Sequence, residues 1–420
     1  MHRFRAYAAV LVAGLALAGC AAGGGAGAAT AAGPGGVGAA PADPLGFVRY
    51  PNAVGWPAVG DWVPQGRGLT LLLPVGGCAR GIGGYQNGYR EVNANWVGDG
   101  SCTRLRLDPA PTGGPGGIPD GPPGSSGGWR GGGIAADAAV VGPDGAILAA
   151  TGSGLRRHRP DGTSEELARA DLSPDGRSTV RGLVTFDRGN RVLIGTSTVV
   201  AGQRGPVVLS SDDGGRTLTR RVLPVPSGFA ERGLIFRLAA HGNEVVAFGW
   251  GTGETPAQRR IPVWRSGDAG RTWSASLVRD LPAHLMINGL AHTGTRWVAV
   301  GAADNTHADR QDTTHVLTST DGLSWTPAAA AVPGVGAADS VTVDRAGGLV
   351  ITGVVDDAEP TAPGERTTYC GVVWTGDGVG PWQRGELGCG DAPPRATATL
   401  ADGRVLIAGN RDLWLRPATR

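Results

Sequence analysis

The sequence predicts an all-β fold, a β-propeller of four-stranded antiparallel blades, and two observations lead to this prediction. Glycine supplies 74 of the 420 residues and proline 30, a composition that favours many turns over long helices. A short aliphatic run ending in glycine recurs six times, at intervals of 43 to 56 residues. Short strands that return with such a period are typical of propellers and related arrays. The runs end at Gly152, Gly195, Gly249, Gly301, Gly353 and Gly409.

The segments around each run supply the other strands of a blade. Another short strand precedes the run, as at 182–186, 234–240 and 340–344, and a tight turn rich in Gly, Asn and Asp connects the two. Two further strands follow each run. Each unit therefore has the four strands of a propeller blade.

A sharper motif lies between the predicted third and fourth strands. Residues 266–273 read SGDAGRTW, a complete S-x-D-x-G-x-T-W pattern, and 211–218 match it with Leu218 in the Trp position. Residues 319–325 are a version shortened by one residue, 375–382 are degenerate, and 159–163 are a remnant. The Asp and Ser or Thr side chains of such a pattern hold backbone N–H groups in a turn, and its glycine supplies a positive φ.

These copies resemble the Asp box of the sialidase-type repeat, also called the bacterial neuraminidase repeat. The resemblance covers roughly residues 134–420 and implies a propeller in which the box is structural and its Trp packs between blades. Because the turn explains the spacing of Asp213, Asp268 and Asp321, we expect none of the three to be catalytic. The structural residues of the boxes are Ser211, Asp213, Gly215, Thr217, Ser266, Asp268, Gly270, Thr272, Trp273, Ser319, Asp321, Gly322 and Trp325.

The amino terminus has the features of a bacterial export signal over residues 1–20. Arg3 and Arg5 precede an apolar stretch that ends in 17–20, Leu-Ala-Gly-Cys. This sequence resembles the lipobox of bacterial lipoproteins, which implies that Cys20 is acylated, with palmitate, and becomes the mature amino terminus. Residues 21–44 are a Gly/Ala-rich tether. We therefore expect an extracytoplasmic protein, anchored by lipid to the bacterial cell membrane.

Four more cysteines follow, an even number that suggests two disulfide bonds in an exported chain. Sequence proximity favours Cys78–Cys102 and Cys370–Cys389 over the other connectivities. For the second pair, a hairpin turn near 376–380 brings both cysteines to the same end.

The last predicted unit is incomplete, because only residues 412–415 follow Gly409 as a third strand. The segment 45–108 holds candidate strands at 69–75, 91–97 and 102–107, and we expect one of them to complete the last blade and close the ring. A Gly/Pro-rich linker, 109–133, connects this segment to the propeller proper, 134–420. The prediction is six blades, or seven if the segment 45–108 forms a blade of its own.

The charge balance excludes some classes of partner. All 38 basic residues are arginine, and with 36 acidic residues the net charge is +2. This balance argues against a nucleic-acid-binding surface of massed arginines, so no nucleic acid partner is expected.

The long loops predict where a ligand would bind. In a four-stranded blade, the loops between the second and third strands and between blades share one face, opposite the Asp boxes; we call it the long-loop face. Loops on a rigid scaffold are common recognition sites. The loop 302–315 has several possible metal ligands but no known metal-binding pattern, so we expect no metal and no cofactor. The candidate ligand-binding residues are Arg259, Arg260, Asp304, His307, Asp309, Arg310 and Arg366.

Enzyme chemistry is less well supported. The resemblance implies an arginine triad for a substrate carboxylate, a Tyr/Glu nucleophile pair and an Asp acid/base. Arg181, Arg232 or Arg237, and Arg395 lie near the starts of predicted inner strands and are the candidates for a channel anion site. No tyrosine has a recognisable nucleophile setting; Tyr369, for example, adjoins Cys370.

The sequence also shows no Walker loop and no nucleophile elbow. We therefore predict a monomeric, non-catalytic binding or scaffold protein with a protein or glycan ligand. The alternative is a sialidase-like or other glycoside hydrolase that acts on extracellular glycans.

Overall fold

The computed structural model describes thirteen stretches of the chain. No helix within these stretches is long and apolar enough to cross a membrane. The predicted export signal, Cys20, the tether 21–44 and the linker 109–133 lie outside them. The described residues are 45–56, 68–87, 90–108, 134–169, 180–196, 206–227, 229, 234–252, 259–282, 284–303, 312–357, 368–390 and 393–418.

The described chain forms seven antiparallel sheets of four strands each, which make a seven-bladed β-propeller. The first strand is β1 (Val48–Tyr50). Blade 1 consists of β2 (Gly68–Val75), β3 (Cys78–Asn87), β4 (Arg90–Gly98) and β5 (Leu105–Leu107). Blade 2 consists of β6 (Ala138–Val141), β7 (Ile147–Thr151), β8 (Gly154–His158) and β9 (Ser164–Ala168). Blade 3 consists of β10 (Val180–Phe186), β11 (Arg191–Thr196), β12 (Val207–Ser211) and β13 (Thr219–Val222).

The other four blades continue the same order. Blade 4 consists of β14 (Ile235–His241), β15 (Glu244–Gly249), β16 (Ile261–Ser266) and β17 (Ser274–Val278). Blade 5 consists of β18 (Leu285–His292), β19 (Trp297–Ala303), β20 (Thr313–Ser319) and β21 (Thr326–Pro327). Blade 6 consists of β22 (Ala337–Val343), β23 (Leu349–Asp357), β24 (Thr368–Gly376) and β25 (Gln383–Gly390). Blade 7 contains β26 (Pro394–Thr399), β27 (Val405–Gly409) and β28 (Leu413–Arg416).

An N-terminal strand closes the ring, as predicted. Strand β1 pairs antiparallel with β28 and is the outer strand of blade 7. The inner strands β2 and β26 lie side by side, so blades 1 and 7 are neighbours. Asp412 reinforces the closure, because it accepts hydrogen bonds from the Arg49 side chain (Nε to Oδ2, 2.9 Å) and from the backbone N–H of Asn52 (2.8 Å).

The blade count is seven rather than six, and the closing strand is not one of the three candidates. Strands at 69–75, 91–97 and 105–107 belong to blade 1 together with β3, so the segment 45–108 both closes blade 7 and builds a whole blade. The sequence CARGIGGYQN of β3 has three glycines and no aliphatic run, so the hydrophobic pattern did not predict a strand there. A side chain at one of these glycines, Gly83, would overlap the carbonyl of Gly68 on β2.

In blades 2 to 7 the second strand is nearly continuous in its hydrophobicity because it is buried on both faces between neighbouring blades. In β15, Val245, Val246, Ala247 and Phe248 have no exposed surface. Large side chains such as Trp264 fill the spaces between blades; it packs with Val208 of blade 3. Burial of such surfaces is the main stabilising contribution to the ring.

Both predicted disulfide bonds are present. Cys370 and Cys389 lie opposite each other on β24 and β25, and Cys78 bonds to Cys102 within blade 1. Cys102 lies in the turn before β5, not in the strand predicted at 102–107.

In blades 3, 4 and 5 the turns between the third and fourth strands share one hydrogen-bonding pattern; we call them Ser-Asp turns (211–218, 266–273 and 319–325). In the second of these, the Ser266 hydroxyl donates to Asp268 and accepts the N–H of Gly270 (2.8 Å). Asp268 also accepts the N–H and hydroxyl of Thr272. The indole N–H of Trp273 donates to the Gly270 carbonyl. Four side chains thus hold one tight turn.

Candidate binding site at the channel mouth

The inner strands of six blades carry a β-bulge near their first residue. A bulge leaves one residue outside the ladder and re-aims its side chain. In blade 2, Asp137 directly precedes β6 and its N–H donates to the Ala150 carbonyl (2.9 Å), so it occupies the corresponding position. The seven residues at this level, which we call the mouth ring, are Thr70, Asp137, Arg181, Phe236, Asn288, Asp339 and Arg395.

The mouth ring lies at the end of the channel opposite the Ser-Asp turns. In blade 3, Val180 beside the bulge pairs with Thr196, the last residue of β11, whereas Ser211 of the turn pairs with Val192 at its beginning. The mouth therefore opens on the long-loop face. Asp339 and Arg395 are exposed there, although the neighbouring Ala338 is buried.

Arginine side chains gather around one aromatic ring of the mouth. The guanidinium carbons of Arg181 and Arg237 lie 5.0 and 4.5 Å from the centroid of the Phe236 ring, within cation–π range. Arg237 also donates to the carbonyl of Asn288 in the next blade (2.6 Å). Burial lowers the pKa of Arg237, and the like charge of Arg181 lowers it further. Two positive charges are thus held together in a poorly solvated place.

A cavity of ≈ 200 Å³ opens beside this cluster, between blades 5, 6 and 7. Its walls include Asn288, Asp339, Arg395 and Tyr369. Asp339 is accessible from the cavity, yet the surrounding protein displaces most of the water around its carboxyl group. This desolvation raises the pKa of the carboxyl group. The positive charges of Arg395 and Arg237 lower the same pKa, but by less. Within the described ranges, no cationic group forms an ion pair with Asp339 at 4.0 Å or less. The cavity therefore offers both hydrogen-bond donors and an acceptor to a ligand.

Three of the channel arginines predicted from the sequence lie on this ring or beside it, and Arg232 lies outside the described residues. Arg181 and Arg237 are neighbours on Phe236, whereas Arg395 lies across the mouth beside Asp339. The mouth thus combines two neighbouring arginines with Asp339 and Arg395, whose charges influence each other without an ion pair.

Arg259, predicted to be a loop charge on the surface, is buried instead. Only 6% of it is exposed, and its guanidinium donates to the carbonyl of Leu285 in the next blade. It lies against Gly251, where a side chain would meet its Cζ at 2.8 Å. Desolvation by burial lowers the pKa of Arg259. Arg259 therefore connects two blades beneath the surface through one of its N–H groups, while its buried Nε has no hydrogen-bond partner among the described residues.

Of the other predicted ligand-binding residues, the structure describes only Arg260. Arg260 donates to the carbonyl of Arg259 (2.8 Å), and its backbone pairs with Thr252. The rest of the predicted set lies outside the described residues: Asp304, His307, Asp309, Arg310 and Arg366. Within the described ranges, no three His, Cys, Asp or Glu side chains form a group that could hold a metal ion.

Sequence reasoning missed most of the mouth ring, including Phe236, Asn288 and Asp339. A signal for them exists: in blades 3 to 7 the mouth residue lies 13 or 14 positions before the recurring glycine, as with Asp339 and Gly353. This spacing is difficult to recognise in the sequence because the residue type at the position differs from blade to blade.

Fold and site together define a seven-bladed propeller with a polar, charged channel mouth. No protein-family model matches the chain, and no curated protein matches it. Among solved structures, the extracellular domain of BT4673 from B. thetaiotaomicron matches with a TM-score of 0.51 and 10% identity, over 88% of this chain and 40% of that chain. The GH74 xyloglucanase from Xanthomonas campestris matches with a TM-score of 0.48 and 15% identity, over 87% of this chain and 56% of that one.

These similarities concern the fold alone, because the identities are low. The chain spans less than two thirds of the length of either protein.

Proposed function

We propose that this protein is a monomeric extracytoplasmic propeller, anchored to the membrane by lipid on Cys20, that binds a polar protein or glycan ligand at its channel mouth without converting it. The observation that carries the proposal is the convergence of Arg181, Asn288, Asp339 and Arg395 from different blades on one recessed opening. Convergent polar groups around a cavity are the usual mark of a binding site.

Several features support an exported protein of the sialidase-type superfamily. Disulfide bonds such as Cys370–Cys389 persist in oxidising compartments. The Ser-Asp turns have the side-chain pattern of the Asp box, and Ser266, Asp268 and Thr272 bond as that motif requires. The lipobox at 17–20 supports the anchor.

The proposal is tested with purified full-length protein in detergent, screened against a glycan array and a peptide library. We expect a ligand whose affinity falls about tenfold or more in Asp339→Asn and in Arg395→Ala, because charge-assisted hydrogen bonds in a recess are strong. Arg220→Ala is the matched control, since Arg220 lies exposed on the outer strand β13. Equal binding by all three variants would show that the mouth is not the site.

One observation favours the alternative, a glycoside hydrolase. Tyr369 lines the same cavity as Asp339 and Arg395, and an oxygen nucleophile beside a carboxyl group is a set that glycosidases use. The test is release of 4-methylumbelliferone from a set of its glycosides. Turnover that disappears in both Tyr369→Phe and Asp339→Asn, but not in Arg220→Ala, would replace the binding proposal.

A further inference from the structure

Trp250 differs from every other tryptophan in the described residues in two ways. Ten of the 12 tryptophans are described, and nine of these donate their indole N–H to an acceptor within the protein. Trp250 is the one without an acceptor in the described ranges. It is also the one tryptophan among them classed as exposed, at 44%. The nine with acceptors are Trp56, Trp96, Trp264, Trp273, Trp297, Trp325, Trp374, Trp382 and Trp414.

The exposed indole is held in place. Its ring meets Phe236 edge to face, with centroids 5.4 Å apart, and its backbone N–H donates to the Leu234 carbonyl (2.9 Å). Its two neighbours are glycines in crowded positions: a Cβ would lie 2.5 Å from Pro262 at Gly249 and 2.8 Å from Arg259 at Gly251. A rigid aromatic surface loses little conformational entropy when a ligand covers it.

Phe236 connects this indole to the channel mouth. It is the mouth-ring residue of blade 4, and the guanidinium groups of Arg181 and Arg237 lie near its ring. A small pocket of ≈ 10 Å³ at Trp250 is lined by Phe236 and by Met286 of blade 5. The indole is therefore continuous with the charged opening rather than a separate surface feature.

We infer that Trp250 is the stacking platform for a sugar ring, and that the ligand of the channel mouth is an oligosaccharide extending from this platform into the cavity. The inference rests on the proposed function and names its ligand class. A sugar ring has a flat face of C–H groups that packs on an indole and a rim of hydroxyls that both donate and accept. The free indole N–H, the side-chain carbonyl of Asn288, Asp339 and Arg395 match that rim, while the Asn288 amide already donates one hydrogen bond to the Ala338 carbonyl (2.8 Å).

The experiment titrates full-length protein in detergent with cello-, xylo-, arabino- and galacturono-hexaose, and with a proline-rich and an acidic decapeptide. Acrylamide quenching of tryptophan fluorescence reports whether the bound probe covers an indole. We expect at least one saccharide to bind and to protect Trp250, and Trp250→Ala to weaken that binding about tenfold, the loss typical of a buried aromatic anchor.

Matched substitutions separate the platform from general effects on the fold. Trp250→Phe should weaken saccharide binding less than Trp250→Ala and should remove the protected fluorescence. Trp273→Phe, the same change at a half-buried tryptophan in a Ser-Asp turn, should leave the affinity unchanged. Thermal melting of every variant checks that the propeller is intact.

The outcomes distinguish this inference from the proposed function. Saccharide binding that is lost in Asp339→Asn and Arg395→Ala but unchanged in Trp250→Ala would overturn the platform alone. Binding of a peptide and of no saccharide, or of none of the probes, would overturn the ligand class. Saccharide binding insensitive to all the mouth variants would overturn the proposed function itself.

Discussion

At the scale of single residues, the Ser-Asp turns connect local hydrogen bonding to packing between blades. Gly270 has a φ of +79°, and a Cβ there would overlap the Cδ1 atom of Leu193 in the preceding blade. In the same way, a Cβ at Gly215 would overlap Leu155 of the preceding blade, and a Cβ at Gly322 would overlap Val246. The glycine is thus required twice, by the turn and by the close approach of the neighbouring blade.

We expect Gly270→Ala to lower the free energy of unfolding by about 2–4 kcal/mol, because backbone strain and overpacking add. Gly162→Ala is the control: Gly162 has a φ of +85°, but no atom lies within 4 Å of the position that a Cβ would take. It should lose only the strain contribution, about 1 kcal/mol. Urea unfolding measures both. Equal losses would mean that contact with Leu193 does not matter.

Asp339 predicts a pH dependence of stability. Its pKa is raised in the folded protein, so the folded state holds a proton at pH values where the unfolded chain, with a pKa near 3.8, has lost it. Stability therefore falls as the pH rises from that value through the raised pKa. Asp339→Asn removes this loss, so we expect the variant to gain on the wild type in unfolding free energy between pH 4 and pH 7. A constant difference between the two proteins over this range would contradict the prediction.

At the scale of elements, strand β1 closes the ring by pairing with β28. The Asp412 side chain stabilises this pairing through hydrogen bonds to β1 and to the residues that follow it. Asp412 is 6% exposed and accepts hydrogen bonds from both Arg49 and Asn52. Its loss would take away the acceptor of two donors in a partly buried contact, which costs more than the removal of a fully exposed pair.

We expect Asp412→Ala to lower the free energy of unfolding by about 2–3 kcal/mol. Asp402→Ala is the control, because the Asp402 carboxylate is half exposed and pairs with Arg404 in its own turn. That change should cost less than about 1 kcal/mol. Chemical denaturation of both variants is the measurement, and similar losses would show that β1 contributes little through Asp412.

At the scale of the whole molecule, the proposed function includes a lipid anchor on Cys20. Cys20→Ala should give an unprocessed or soluble exported protein, since the acylated thiol is removed. Membrane fractionation followed by mass spectrometry of the amino terminus measures this. Ser125→Ala, in the Gly/Pro-rich linker, is a control that should remain membrane-bound. Recovery of a mature, acylated Cys20→Ala protein would contradict the anchor.

Features that depend on residues close together in the chain can be predicted from the sequence alone. Strand runs ending in glycine, the pairing of Cys370 with Cys389 and the spacing of Ser266 and Asp268 are all set within about twenty residues, where turn chemistry and hydrophobic pattern act directly. The all-β propeller follows from their repetition.

The number of blades and the composition of the channel mouth could not be predicted in this way, because they depend on contacts between distant parts of the chain. Arg49 meets Asp412 across 363 residues of chain, and no local pattern encodes that pairing. Asn288, Asp339 and Arg395 lie more than fifty residues apart and have no common residue type. They meet because each inner strand bulges at the same level of a closed ring, and this geometry exists only after all seven blades have packed together.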